Sequence, residues 1–154
     1  MRTLRLLCAA LLLGLAGSTA LAADTDAEYR LNELLGTDPQ YRETWQDLVE
    51  DESRLPEWVM NLSGTATPMQ AVNEDGDKYL VGQLCDSADC AHQKLLVAFS
   101  WDKEDAYALL VQVPPGLPAD KSPSRHASLR WLGEPDEAQK AILDAELRRD
   151  PNWY

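Results

Sequence analysis

Two four-residue turns constrain the fold of this chain more than any other feature. Glu74-Asp75-Gly76-Asp77 separates the runs Pro68–Asn73 and Lys78–Cys85, and Asp102-Lys103-Glu104-Asp105 separates Lys94–Trp101 from Ala106–Val113. Short polar turns between runs rich in β-branched and aromatic residues read as hairpins. Strands joined this tightly run antiparallel, because a parallel pair needs a crossover of a dozen or more residues. Within the runs the side chains alternate. Val81, Gln83 and Cys85 share one face, and Leu80, Gly82 and Leu84 share the other. Leu95, Val97, Phe99 and Trp101 alternate with Lys94, Leu96, Ala98 and Ser100. Pro114-Pro115-Gly116 then breaks the sheet. After a loop to about Arg125, Ala127–Leu132 reads as a fifth strand, with Leu129 and Trp131 pointing one way.

Helical patterns flank the strands. Ala27–Leu35 carries Tyr29, Leu31, Leu34 and Leu35 and is stopped by Gly36. Asp38-Pro39 supplies an N-cap and a proline at the first helical position. Tyr41, Trp45, Leu48 and Val49 follow at spacings of three and four, which is one helical stripe. Pro56 opens a short third helix through Trp58, Val59 and Leu62. At the other end, Gly133-Glu134-Pro135 leads into a last helix from Asp136 to about Arg149, with Ala138, Ala141, Ile142, Ala145 and Leu147 as its apolar positions. Arg148 and Arg149 complement the dipole in its final turn. The expected fold is α+β: a five-stranded antiparallel sheet with N-terminal helices and one C-terminal helix packed on one of its faces.

The N-terminus reads as a secretory signal. Arg2 and Arg5 form a positive start, Leu6–Ala16 is an apolar run short for a bilayer span, and Ala20-Leu21-Ala22 is a small-x-small cleavage site. Residues 1–22 would then be removed, taking Cys8 with them, and residues 23–154 would form a single soluble domain. The signal implies export, and its style suggests a bacterial periplasm. Loss of Arg2 and Arg5 takes the formal charge from −12 to −14. Such acidity argues against nucleic acid and anionic membranes as partners and favours a basic protein.

Catalytic and metal chemistry find little support. Ser124, His126 and Asp120 could be drawn as a triad, but no nucleophile elbow accompanies them. Cys85, Cys90 and His92 lack a fourth zinc ligand. A thioredoxin-type site has two residues between its cysteines, and here there are four. The acidic runs Glu50-Asp51-Glu52 and Asp86 with Asp89 read as solvated faces or turns. Trp45, Trp58, Trp101 and Trp131 fall on apolar periodicity and read as core; Trp153, in the tail, is the exception. No cofactor is implied.

What remains is Cys85-Asp86-Ser87-Ala88-Asp89-Cys90. Two cysteines this close in an exported chain read as a disulfide. Closing so small a ring removes about 2 kcal/mol of unfolded-state entropy. It also leaves a stiff projection that loses little freedom on docking. Chemistry alone leaves two readings open: a partner-binding loop, or a staple between adjacent strands.

The chain resembles the inhibitor of vertebrate lysozyme family, known as Ivy. The resemblance runs through Tyr79-Leu80-Val81-Gly82 into the cysteine loop, then Val97-Ala98-Phe99-Ser100 and Val113-Pro114-Pro115-Gly116-Leu117. It continues through Ala127-Ser128-Leu129-Arg130-Trp131-Leu132-Gly133 and ends with Asp150-Pro151-Asn152-Trp153. It implies a periplasmic α+β protein, monomer or homodimer, that is an inhibitor rather than an enzyme and uses no cofactor or metal. The disulfide-closed loop would enter the cleft of a basic c-type lysozyme, with Asp86, Ser87, Ala88 and Asp89 as the contact tip. The family is also connected with restraint of endogenous cell-wall lytic transglycosylases. Its loop reads Cys-Lys-Pro-His-Asp-Cys, so Cys85, Asp89 and Cys90 match. Asp86 stands for Lys, Ser87 for Pro and Ala88 for the His whose imidazole bonds the two catalytic carboxyl groups of lysozyme.

Overall fold

The computed structural model describes residues 29–154; the expected signal segment with its cleavage site, and residues 27–28 of the first expected helix, lie outside them. Three helices come first: α1 (Leu31–Thr37), α2 (Pro39–Glu50) and α3 (Glu57–Met60). Six strands follow, β1 (Thr65–Ala66), β2 (Gln70–Glu74), β3 (Asp77–Cys85), β4 (Gln93–Ser100), β5 (Ala106–Gln112) and β6 (Ser128–Leu132), and then α4 (Glu137–Arg148). Every pairing is antiparallel. The order is β1-β3-β4-β5-β6, with β2 also on β3.

The first expected strand, Pro68–Asn73, is observed as β2, and the short strand β1 ahead of it was not expected. Gln70–Glu74 pairs with Asp77–Val81, whereas Thr65 and Ala66 pair with Cys85 and Leu84. Between them Pro68 lacks an N–H for a ladder. The gap is covered instead by the residues just ahead of α1: Arg30 bridges Pro68, and the Met69 N–H donates to the Tyr29 carbonyl at 2.7 Å. Tyr29 and Arg30 are therefore extended rather than helical. Gly36, expected to stop α1, lies inside it, and the helix ends one residue later at Thr37.

The caps explain the other helix boundaries. Asp38 Oδ1 accepts from the Gln40 N–H at 2.9 Å, with Pro39 at the first helical position. Asp136 and Gln139 form a capping box on α4, each side chain accepting from the other's backbone N–H at 2.9 Å. The β2–β3 hairpin turns on Asp75 and Gly76, both at positive φ (50° and 87°). This conformation suits a two-residue hairpin, and glycine adopts it without steric strain.

Helices occupy both faces of the sheet, not one. Leu80, Leu84, Leu95, Val97, Phe99 and Leu110 pack with Leu31, Leu34, Tyr41, Trp45 and Leu48 of the N-terminal helices. Val81, Leu96, Ala98, Leu109 and Val111 pack with Ile142, Leu143 and Leu147 of α4. The physical reason is the apolarity of both alternating sets in β3, β4 and β5. A strand with no polar face must be covered twice. Leu143, absent from the expected apolar set of α4, is fully buried, while Ala141 and Ala145 face solvent.

The tryptophans separate. Trp45 is fully buried, and its indole N–H reaches the carbonyls of Val59 and Met60 at 3.1 Å. Trp58 and Trp131 are half-buried against the two cores. Trp101, expected inside, is 53% exposed, with the Lys78 ammonium 3.7 Å above its ring. It stands just past β4, where the sheet's alternation no longer dictates burial. Trp153, read as the exception, is only 7% exposed and belongs to the α4-side core.

Candidate functional site

The Cys85–Cys90 disulfide is formed, with the two Cα atoms 4.8 Å apart. Cys85 is the last residue of β3, and its partner across the ladder in β4 is Lys94. Cys90 lies in the connection before β4. The bond therefore closes the β3–β4 loop on itself rather than tying one strand to the next.

Inside the ring the backbone is tied at successive points. The Asp86 N–H donates to the Gln93 carbonyl at 3.1 Å, extending the hairpin. The Asp89 N–H donates to the Asp86 carbonyl at 2.8 Å, closing a turn over Ser87 and Ala88. Asp86 Oδ1 also accepts from the Ala88 N–H at 3.1 Å, a side-chain turn that short acidic residues favour. Asp89 then caps the return path. Its carbonyl accepts from the N–H groups of His92 and Gln93 at 3.1 and 3.0 Å.

The four sequence-predicted tip residues thus divide by role. Ser87 and Ala88 are exposed, while Asp86 and Asp89 are half-buried and occupied in shaping the loop. Asp89 Oδ1 lies 2.6 Å from His92 Nδ1. A carboxylate at that distance accepts, so Nδ1 carries the proton and Nε2 is turned away from the pair. His92 therefore braces the loop from outside the ring. Its own carbonyl accepts from the Val113 N–H at 2.8 Å, joining this brace to the end of β5.

Sequence reasoning missed the support beneath the tip. Thr65, in the unexpected strand β1, places its hydroxyl 3.0 Å from the Ser87 hydroxyl. Gly64 makes that approach possible, since a Cβ there would lie 2.2 Å from the Cys85 carbonyl oxygen. On the other side, Lys94 pairs with Asp150 just beyond α4. Burial raises the Asp150 pKa, but the Lys94 ammonium and the Asn152 N–H outweigh it and hold the carboxyl below its ordinary value. No local motif announces Thr65, Lys94 or Asp150; each contact is made by topology.

Two open hollows flank the loop. One, of about 590 Å³, lies between the disulfide, β1 and the end of α4, with Thr65, Lys94, Arg149 and Asn152 among its walls. The other, of about 420 Å³, lies beyond His92, against Pro114, Leu117 and Tyr154. Ser87 and Ala88 are thus exposed on a closed loop whose base borders both hollows.

The two sulfurs that a zinc site would need are bonded to each other. Asp120 pairs with Lys121 at 3.8 Å, and the Ser124 backbone N–H donates to the Trp153 carbonyl at 2.9 Å. Among the described residues no group of three His, Cys, Asp or Glu side chains converges as a metal site. No helix among them is long and apolar enough to cross a membrane.

Comparison with known proteins bears on this geometry. The family described as inhibitor of vertebrate lysozyme (Ivy) matches residues 40–148. An uncharacterized protein of Pseudomonas aeruginosa is 68% identical over 155 residues, covering all of both chains. A Pseudomonas aeruginosa protein named inhibitor of vertebrate lysozyme is 40% identical over 133 residues, covering 85% of this chain and 86% of its own. An uncharacterized protein of Yersinia pestis is 38% identical over 115 residues, 75% of each chain. With the ring, the antiparallel sheet and these matches together, the chain belongs to the inhibitor of vertebrate lysozyme family.

Proposed function

We propose that this protein is an exported, periplasmic, non-enzymatic inhibitor that plugs the active-site cleft of a c-type lysozyme with its Cys85–Cys90 loop. The observation that carries the reading is the exposure of Ser87 and Ala88 on a ring tied at both ends. A tip shaped before contact loses little conformational freedom on binding. Membership in the inhibitor family and the 40% identical relative named as a lysozyme inhibitor support it. The formal charge of −12 favours encounter with a basic enzyme.

Ala88 has no side-chain donor for the enzyme's catalytic carboxyls, so the tip must supply one differently. The Thr65–Ser87 hydroxyl pair can do this. If Thr65 donates to Ser87, the Ser87 proton is left for a partner's carboxylate. A neutral hydroxyl makes a weaker contact than a charged imidazole. Affinity for a vertebrate-type enzyme is accordingly lower than that of a loop carrying histidine.

A second reading keeps the plug and changes the target to a lytic enzyme of the cell's own wall. The same Ala88, with Asp86 beside it, favours this reading, because a tip without a cation suits a cleft with less negative charge. Titrating the purified mature protein against c-type lysozymes and lytic transglycosylases decides between them. Inhibition of a lysozyme at micromolar concentration or below supports the first reading. Inhibition of lytic transglycosylases alone supports the second, and inhibition of neither contradicts both.

A further inference from the structure

The two hollows beside the loop share one wall, the tail segment Pro151-Asn152. This segment is anchored on either side. Trp153 is buried in the α4-side core, its N–H donates to the Asp150 carbonyl at 3.1 Å, and its carbonyl accepts from the Ser124 N–H at 2.9 Å. The Asp150 carboxylate accepts from the Asn152 N–H at 2.9 Å and holds the Lys94 ammonium. Pro151 and Asn152 themselves are exposed. A proline and an asparagine on a chain fixed from both ends form a second rigid, solvent-facing element beside the stapled tip.

The charges of the larger hollow are paired within the chain. Arg149 bonds Gln70 at 2.8 Å and Glu146 at 3.0 Å, and Lys94 is neutralised by Asp150. The cations are thus already matched by acids of the same chain. A small anion would gain little there, whereas an uncharged protein ridge can lie against the walls without breaking an ion pair. Resting on the loop-insertion reading, we propose that the raised edges of the target's cleft seat in these two hollows, and that Pro151 and Asn152 are contact residues that determine which enzyme is accepted. Lys94 and Asp150 are positioning residues, which hold the tail in register with the loop.

The test uses the mature protein against an enzyme it inhibits, with Asn152→Arg and the tip variant Ala88→Arg compared by inhibition constant and thermal midpoint. Asn152→Arg is expected to weaken inhibition at least tenfold, and the thermal midpoint reads separately what is lost with the Asn152 side-chain hydrogen bond to Asp150. The variant is also expected to change the ranking of enzymes across the panel, which a structural role would not do. Full inhibition by Asn152→Arg, with Ala88→Arg inactive, overturns the tail assignment and leaves the plug intact. Full inhibition by Ala88→Arg overturns the plug and this inference with it. Should Asn152→Arg fail to fold, backbone amide shifts of wild-type protein on enzyme titration replace it. Perturbed signals at 152–154 support the proposal, and unperturbed ones overturn it.

Discussion

Cys85 faces Lys94 across the β3–β4 ladder, not Cys90. The disulfide therefore adds nothing to strand pairing, which the ladder already supplies, and acts on the loop alone. Cys85→Ser with Cys90→Ser is expected to leave the sheet folded while destabilising it by about 2 kcal/mol, the entropy of so short a ring. Inhibition should fall further than stability does, because the open loop must be ordered on binding. Denaturant unfolding and inhibition of the same double variant measure the two effects.

Restoring the imidazole should strengthen the tip. Ala88→His places a donor at an exposed position, where it meets no packing constraint. A hydrogen bond to a charged group is worth about 1.5–3 kcal/mol, or roughly ten- to a hundredfold in affinity. Inhibition of c-type lysozyme by the variant, compared with wild type, reads this directly.

Gly64 is expected to tolerate no side chain. Gly64→Ala would place its Cβ 2.2 Å from the Cys85 carbonyl oxygen, forcing β1 away from β3. Steric insertion of this kind costs about 1–3 kcal/mol, to be read from the denaturant midpoint. The same shift would part Thr65 from Ser87, so inhibition should weaken as well.

Acid should loosen the tail before it unfolds the sheet. The Asp150 carboxyl is held below its ordinary value of 3.8 by Lys94 and the Asn152 N–H, against the opposing effect of burial. A depressed folded-state pKa stabilises above the unfolded value and loses that contribution as pH falls through the folded one. The thermal midpoint of wild type should thus fall below about pH 4 more steeply than that of Asp150→Asn. The two profiles should run parallel above that pH.

The hairpins were legible in the sequence because Asp75-Gly76 and the alternation of Leu95, Val97 and Phe99 are local signals. The N-cap Asp38 was legible for the same reason, whereas Asp136, read as the first residue of α4, is its N-cap. Strand β1 was not legible, since Thr65-Ala66 is too short to carry a period and is defined only by its partners on β3. The two-sided covering of the sheet was implicit in Leu96, Ala98, Leu109 and Val111, which are as apolar as their neighbours. A strand pattern with no polar set leaves open which element supplies the second cover. The alanines of α4 suggested an apolar face, but Leu143 buries more surface, and the helix turned accordingly.

At the site, the ring could be read from the spacing of Cys85 and Cys90. Its braces could not. The Lys94–Asp150 pair joins residues 56 apart, and Thr65 meets Ser87 over 22. Both contacts exist only once the sheet has brought β1, β4 and the tail to one end. Trp153 shows the same limit, because a residue near the terminus is buried only if a preformed surface receives it.

Competition for the cleft tests the central claim most directly. The affinity of the protein for the lysozyme it inhibits can be measured by calorimetry, with and without a saturating oligosaccharide bound in the enzyme's active-site cleft. If the Ser87–Ala88 tip occupies that cleft, apparent affinity falls in proportion to saturation by the sugar. An affinity unchanged by the bound oligosaccharide would place the contact elsewhere and contradict the plug.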